Sequence, residues 1–79
     1  MQLSGLQVRE CGRFRDKPSH LAGMRFIVVD RYPADRASGG TTVLLEGGGQ
    51  AIFVWDHENP NVDLLGTGRV ETKITWPGE

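Results

Sequence analysis

Between residues 41 and 56 the chain reads Thr-Thr-Val-Leu-Leu-Glu, then Gly-Gly-Gly-Gln, then Ala-Ile-Phe-Val-Trp-Asp, and few folds can house such a segment. Both arms are rich in β-branched or aromatic residues, and the glycines supply the positive φ angles of a short loop, so the segment predicts a β-hairpin. Pairing Glu46 with Ala51 puts Val43 and Leu45 on one face with Ile52 and Val54. Thr42 and Leu44 then share the opposite face with Phe53 and Trp55. Apolar residues on both faces require cover on both sides, as in a closed barrel, a sandwich or a subunit interface.

Three further stretches read as strands separated by turn residues. Over residues 3–10, Leu6 and Val8 alternate with Gln7 and Arg9. Over 24–31, Met24, Phe26 and Val28 oppose Ile27 and Val29, the pattern of a strand covered on both sides. Over 68–76, Val70, Thr72, Ile74 and Trp76 alternate with Glu71, Lys73 and Thr75, a half-buried pattern with a wet outer face. Helix is nearly absent. Residues 18–23 suit a single turn ended by Gly23, and residues 59–65 suit a second one capped by Asn59 or Asn61. The expectation is a mainly β chain, a small five-stranded barrel or sandwich with at most one or two single-turn helices. The succession of strand, long loop (11–23), strand, medium loop (31–40), tight hairpin, one-turn segment and last strand resembles a small barrel of the Src-homology-3 type. That resemblance implies strand order alone, because the aromatic and acidic residues such domains use for proline-rich peptides do not stand at the corresponding loops.

At 79 residues the chain has room for one domain over 1–79. A chain of this size buries only about 60% of the surface its unfolded form exposes, so small scaffolds often add a disulfide, a metal or a partner subunit. Cys11 is the single cysteine, which excludes a disulfide within the chain, and one Cys with two scattered His cannot build the usual zinc site. Tight packing or a homodimer remains. No cofactor or metal is expected. The N-terminus lacks a basic segment followed by a long apolar one, and the longest apolar run, Phe26-Ile27-Val28-Val29, is far short of a membrane span. With an unpaired cysteine, these features point to a cytoplasmic protein.

The net charge of −1 hides a split. Residues 1–36 carry seven basic against four acidic side chains, and residues 37–79 carry two basic against six acidic. Such a split becomes a polar surface if the halves stay apart, and vanishes if strands of the two halves interleave.

Motifs with chemistry are scarce. Cys11 and His20 could form a nucleophile and base, but nothing marks an orienting group or an oxyanion hole. The cluster Asp56-His57-Glu58-Asn59-Pro60-Asn61-Val62-Asp63 misses the calcium-loop spacing, since the required glycine falls on Asn61 or, starting from Asn59, on Leu64. It reads as a solvated turn or an acidic contact surface. Gly47-Gly48-Gly49 precedes a strand and no Lys-Ser or Lys-Thr, so it is a hairpin turn rather than a phosphate loop. Gly66-Thr67-Gly68 reads as a bend or bulge.

Arg9, Arg13, Arg15 and Lys17, with Phe14 among them, give the best functional hint. Basic side chains around an aromatic can grip a phosphate backbone and stack a base, or meet an acidic protein surface. An isoelectric point near 6.1 argues against a dedicated nucleic-acid binder. The leading expectation is a non-enzymatic protein-binding module acting stoichiometrically, such as an inhibitor or adaptor of a larger complex. A phage or mobile-element inhibitor of a host defence complex is one form of it. Its contact residues would be Arg9, Arg13, Phe14, Arg15, Lys17, Asp56, Glu58, Asp63 and Trp76. The alternative is a nucleic-acid-binding small barrel that uses the 9–17 segment, together with Arg25 and Arg31. An enzyme would need a pocket at Cys11, His20 or His57.

Overall fold

A computed structural model describes residues 1–32 and 39–78. The chain is mainly β. Its strands are β1 (Glu10–Phe14), β2 (Arg25–Tyr32), β3 (Gly40–Leu45), β4 (Gln50–Val54), β5 (Val62–Thr67), β6 (Arg69–Val70) and β7 (Ile74–Thr75). Single 3-10 turns occupy Leu3–Gly5 and Ser19–Leu21. The first five strands make one antiparallel sheet in the order β4-β3-β2-β1-β5. Successive strands β1 to β4 form a meander, and β5 returns to the free side of β1.

The sheet is strongly curled. Phe14 on β1 and Phe53 on β4 have ring centroids 5.6 Å apart, and Phe14 lies 4.5 Å from Phe26 on β2. Three strand spacings separate β1 from β4, about 14 Å in a flat sheet. The rings meet only because the sheet wraps around them. Val28, Val43 and Val62 complete the concave core, and Leu3 and Leu21 from the two 3-10 turns, with Leu6 just after the first, close it. The convex face carries a second, smaller cluster of Cys11, Ile27 and Trp76, with Val29, Leu44 and Ile74 packed against it. Both faces of β2 are thus covered, as its sequence requires.

Several expected elements fall elsewhere. No strand spans residues 3–10, because Leu3 and Leu6 stand three apart and both point into the core, the spacing of a 3-10 turn. The first strand starts at Glu10 and takes up the beginning of the expected 11–23 loop. The 41–56 hairpin forms, but Val43 pairs with Ala51 and Leu44 with Gln50. Gly48 N–H donates to Leu45 O, and Gly48 and Gly49 have φ of 98° and 81°, so the chain turns at 46–48. That register differs from the expected one by an odd step, which exchanges the faces of β4. Phe53 enters the core, and Ile52 faces out at 59% exposure.

Residues 62–65 of the expected second turn belong to β5, which carries an extra residue, Leu65, between Gly66 opposite Cys11 and Leu64 opposite Gly12. The 66–68 segment is thus tied to a bulge, as its glycines suggest. The expected strand over 68–76 is instead the small β6–β7 hairpin, turned back at Glu71, whose N–H donates to Lys73 O. The fold-back lays Trp76 over the convex cluster. The middle of the expected 31–40 loop, residues 33–38, lies outside the described residues. Among the described residues no helix is long and apolar enough to cross a membrane.

Candidate partner-binding surface

β1 carries the basic segment, and its alternation decides where each side chain goes. Phe14 points inward and is fully buried. Arg13 points to the convex face, opposite Arg25 on β2 and Asp63 on β5. Arg15 follows the strand, where its N–H donates to Asn61 O at 3.4 Å and its Nε lies 3.8 Å from Asp63 Oδ1. The acidic second half of the chain is therefore interleaved with the basic first half. A row of alternating strands reads Asp63, Arg13, Arg25, Glu46 across the convex face. Opposed Arg13 and Arg25 would repel. Arg25 turns away from Arg13: its Nη2 and Nε donate to Glu46 Oε2 at 2.6 and 2.9 Å, and its guanidinium stacks 4.5 Å above the Trp76 ring. Arg13 Nη1 donates to Gly23 O at 3.2 Å.

Hydrogen bonds from Arg25, side chain first and backbone N–H second, hold the Glu46 carboxyl below its usual value. A depressed native pKa contributes stability that is present above the unfolded value of about 4.3 and is lost as pH falls through the native one. Glu46→Gln is expected to lower stability by about 0.5 kcal/mol at pH 7, the scale of a partly exposed pair. Urea midpoints of the two proteins should converge as pH falls through the depressed native value.

At the far end of β1 the chain builds a polar groove. Arg15, Asp16 and Asn61 line one recess, of about 470 Å³. Asp16, Lys17 and residues 57–61 line the adjoining one, of about 370 Å³. Asp16 and Asn61 belong to both, so the recesses adjoin. The wall over 57–61 is fastened by long-range bonds. Ser4 N–H donates to Asn59 Oδ1 at 3.1 Å, and Asn59 Nδ2 donates back to Ser4 Oγ at 2.9 Å. Leu3 N–H donates to Pro60 O at 2.9 Å, and Arg31 Nη2 holds Ser4 O at 2.8 Å. The His57 and Glu58 N–H groups both donate to Val54 O, which starts the turn.

The expected contact residues thus divide. Arg15, Lys17 and Glu58 line the groove, Asp63 joins it through Arg15, and Arg13 stands beside them on the convex face. Asp56 is exposed just before the lining residues. Arg9 sits at the opposite end of β1 with φ 77°, its N–H bonded to Val28 O and its carbonyl to Gly68 N–H. Trp76 is only 8% exposed and serves the convex cluster. Asn59 and Asn61 fall within the 56–63 segment read as a turn or a contact surface, whereas no sequence signal marks Ser4. Nothing local ties Ser4 to a residue 55 positions away.

Cys11 is sealed under Gly68, Ile27 and Trp76, and burial pushes its thiol above the usual value, so it stays protonated at neutral pH. His20 and His57 are exposed on separate turns. Among the described residues no three His, Cys, Asp or Glu side chains gather as metal ligands would. Compared with known proteins, the chain matches no sequence family, no curated protein and no solved structure.

Proposed function

We propose that this chain is a stoichiometric protein-binding module, an inhibitor or adaptor of a larger cytoplasmic complex, which holds its partner in the groove between residues 15–17 and 57–61. The observation that carries this reading is the convergence of two segments, far apart in sequence and opposite in charge, on one braced polar wall. A braced wall loses little conformational freedom on binding, which favours recognition of a folded surface. Mixed donors and acceptors of both signs supply specificity and register. The nucleic-acid reading loses its stacking platform, since Phe14 is fully buried, and Asp63 offsets Arg13 and Arg15. A catalytic Cys11 would need an exposed thiol, and this one is sealed.

The test is affinity capture from the source cell with the wild type and with Arg15→Glu/Lys17→Glu, reading the mass of what is retained. The wild type should retain one protein complex at fixed stoichiometry, and the variant should weaken that retention at least tenfold with an unchanged melting temperature. Arg15 and Asp63 are both more than half exposed, so breaking their contact leaves the fold intact. Retention of nucleic acid instead, falling steeply with salt, would transfer the function to the alternative reading.

A further inference from the structure

The sheet has two edges, and they differ. The β5 edge carries Asp63 and a bulge at Leu65, and the chain start lies against its first residue, with Val62 N–H donating to Met1 O. These are the usual devices that keep an edge from pairing. β4 has none of them. Its sequence, Gln-Ala-Ile-Phe-Val, holds no charge and no proline, and its pairing with β3 runs without a bulge. Among the described residues no strand lies beyond it.

The hydrogen-bond phase of this edge follows from the ladder. Trp55 N–H donates to Gly39 O and Leu45 N–H to Gly49 O, so the odd-numbered residues of β4 bond to β3. The N–H and C=O groups of Gln50, Ile52 and Val54 then point outward. Val54 O already accepts from His57 and Glu58, which among the described residues leaves Ile52 N–H and C=O, Val54 N–H and Gln50 C=O and N–H for a neighbour.

We infer that the outer edge of β4 pairs with β4 of a second copy of this chain, antiparallel about Ile52. A strand whose free groups are centred on one residue is complementary to itself under a two-fold axis. The two Ile52 residues exchange both backbone bonds, and each Val54 N–H donates to the opposite Gln50 O. The saturated Val54 carbonyl is not required. On the convex face, Ile52 meets its own copy, and each Val54 lies beside the opposite Gln50. Ile52 and Val54 are 59% and 36% exposed. They offer roughly 150 Å² of apolar surface per copy, or roughly 300 Å² in a pair, well below the ~1,200 Å² of a standard stable interface. The match in area is therefore to a weak, reversible dimer, half-formed on the order of 100 μM. With no charge on either strand, it should be indifferent to salt, unlike a contact in the groove.

Sedimentation equilibrium from 10 μM to 1 mM, with amide exchange at Ile52, tests this pairing. The wild type should dimerise across that range, with Ile52 exchange slowing about fourfold, the fall in free-monomer fraction for half-association at ~100 μM. Ile52→Lys and Gln50→Lys, both on exposed positions, should each remain monomeric throughout. Arg15→Glu/Lys17→Glu should dimerise as the wild type does, which separates this edge from the groove. A wild type that is monomeric at 1 mM overturns the inference, as does a dimer that survives both lysine substitutions or one that salt dissolves.

Discussion

Phe14→Ala is expected to destabilise the fold by about 3–5 kcal/mol, the cost of removing a large buried aromatic. A chain of 79 residues holds about 4–12 kcal/mol in all, so most or all of its stability is at stake. The effect should lie at the top of the range because Phe14 joins parts of the sheet that no backbone bond connects. Its ring contacts Phe26 on the adjacent strand and Phe53 three strands away. Losing it removes both aromatic contacts, and the curl of the sheet loses the ring that β1 and β4 share. Phe14→Leu fills much of the space and should cost far less, about 1–1.5 kcal/mol. Urea unfolding followed by the fluorescence of Trp55 and Trp76 reads both variants. A Phe14→Ala protein within 1 kcal/mol of the wild type would show that the curl is held elsewhere.

Gly68→Ala should be nearly as damaging, for the opposite reason. A Cβ at position 68 would stand 2.6 Å from Cys11 Sγ and 2.6 Å from Thr75 O, with Ile27 Cδ1 at 3.4 Å. The glycine cannot retreat readily, because its N–H is bonded to Arg9 O at 2.9 Å. One methyl group there forces the β6–β7 hairpin away from the convex cluster, at an expected cost of about 2–3 kcal/mol. Cys11→Ala removes one of the two close contacts. In that background Gly68→Ala should cost less, yet remain destabilising, because Thr75 O is backbone. A double-mutant cycle on thermal unfolding should therefore give a clear coupling between positions 11 and 68, where independent sites would simply add.

The sequence announced the mainly β class through its alternation and the 41–56 hairpin, and the 3-10 turn near residue 20 through its closing glycine. Register was not legible there. Three glycines and a glutamate offer several turns of similar quality, and the one adopted is set by Phe53 entering a core shared with Phe14 and Phe26. The segment 62–67 disguised itself as a turn because Leu64 and Leu65 are adjacent and both exposed, the mark of a bulge rather than of an alternating strand. The 68–76 alternation is real, but Trp76 needed cover that a straight strand would not provide. Of the candidate site, the charged segments themselves were visible. Their meeting was not, because it depends on β1 pairing with β5 and on the Ser4–Asn59 clasp, both fixed by tertiary structure.

The position of β1 between β2 and β5 also bears on how the molecule is expected to assemble. β2, β3 and β4 are joined by short connections and can zip locally, whereas closing the Ser4–Asn59 clasp brings together positions 55 apart. Closing a loop of that length costs entropy before any contact repays it, so the return of β5 is expected to be the slow event. Until it arrives, the facing edge of β1 stands open to any other unfinished chain. Arg13 and Arg15 keep that waiting edge positive, and Asp63 arrives with the opposite sign. The charges that interleave across the finished sheet would thus also guard an unfinished one, and guide β5 into register.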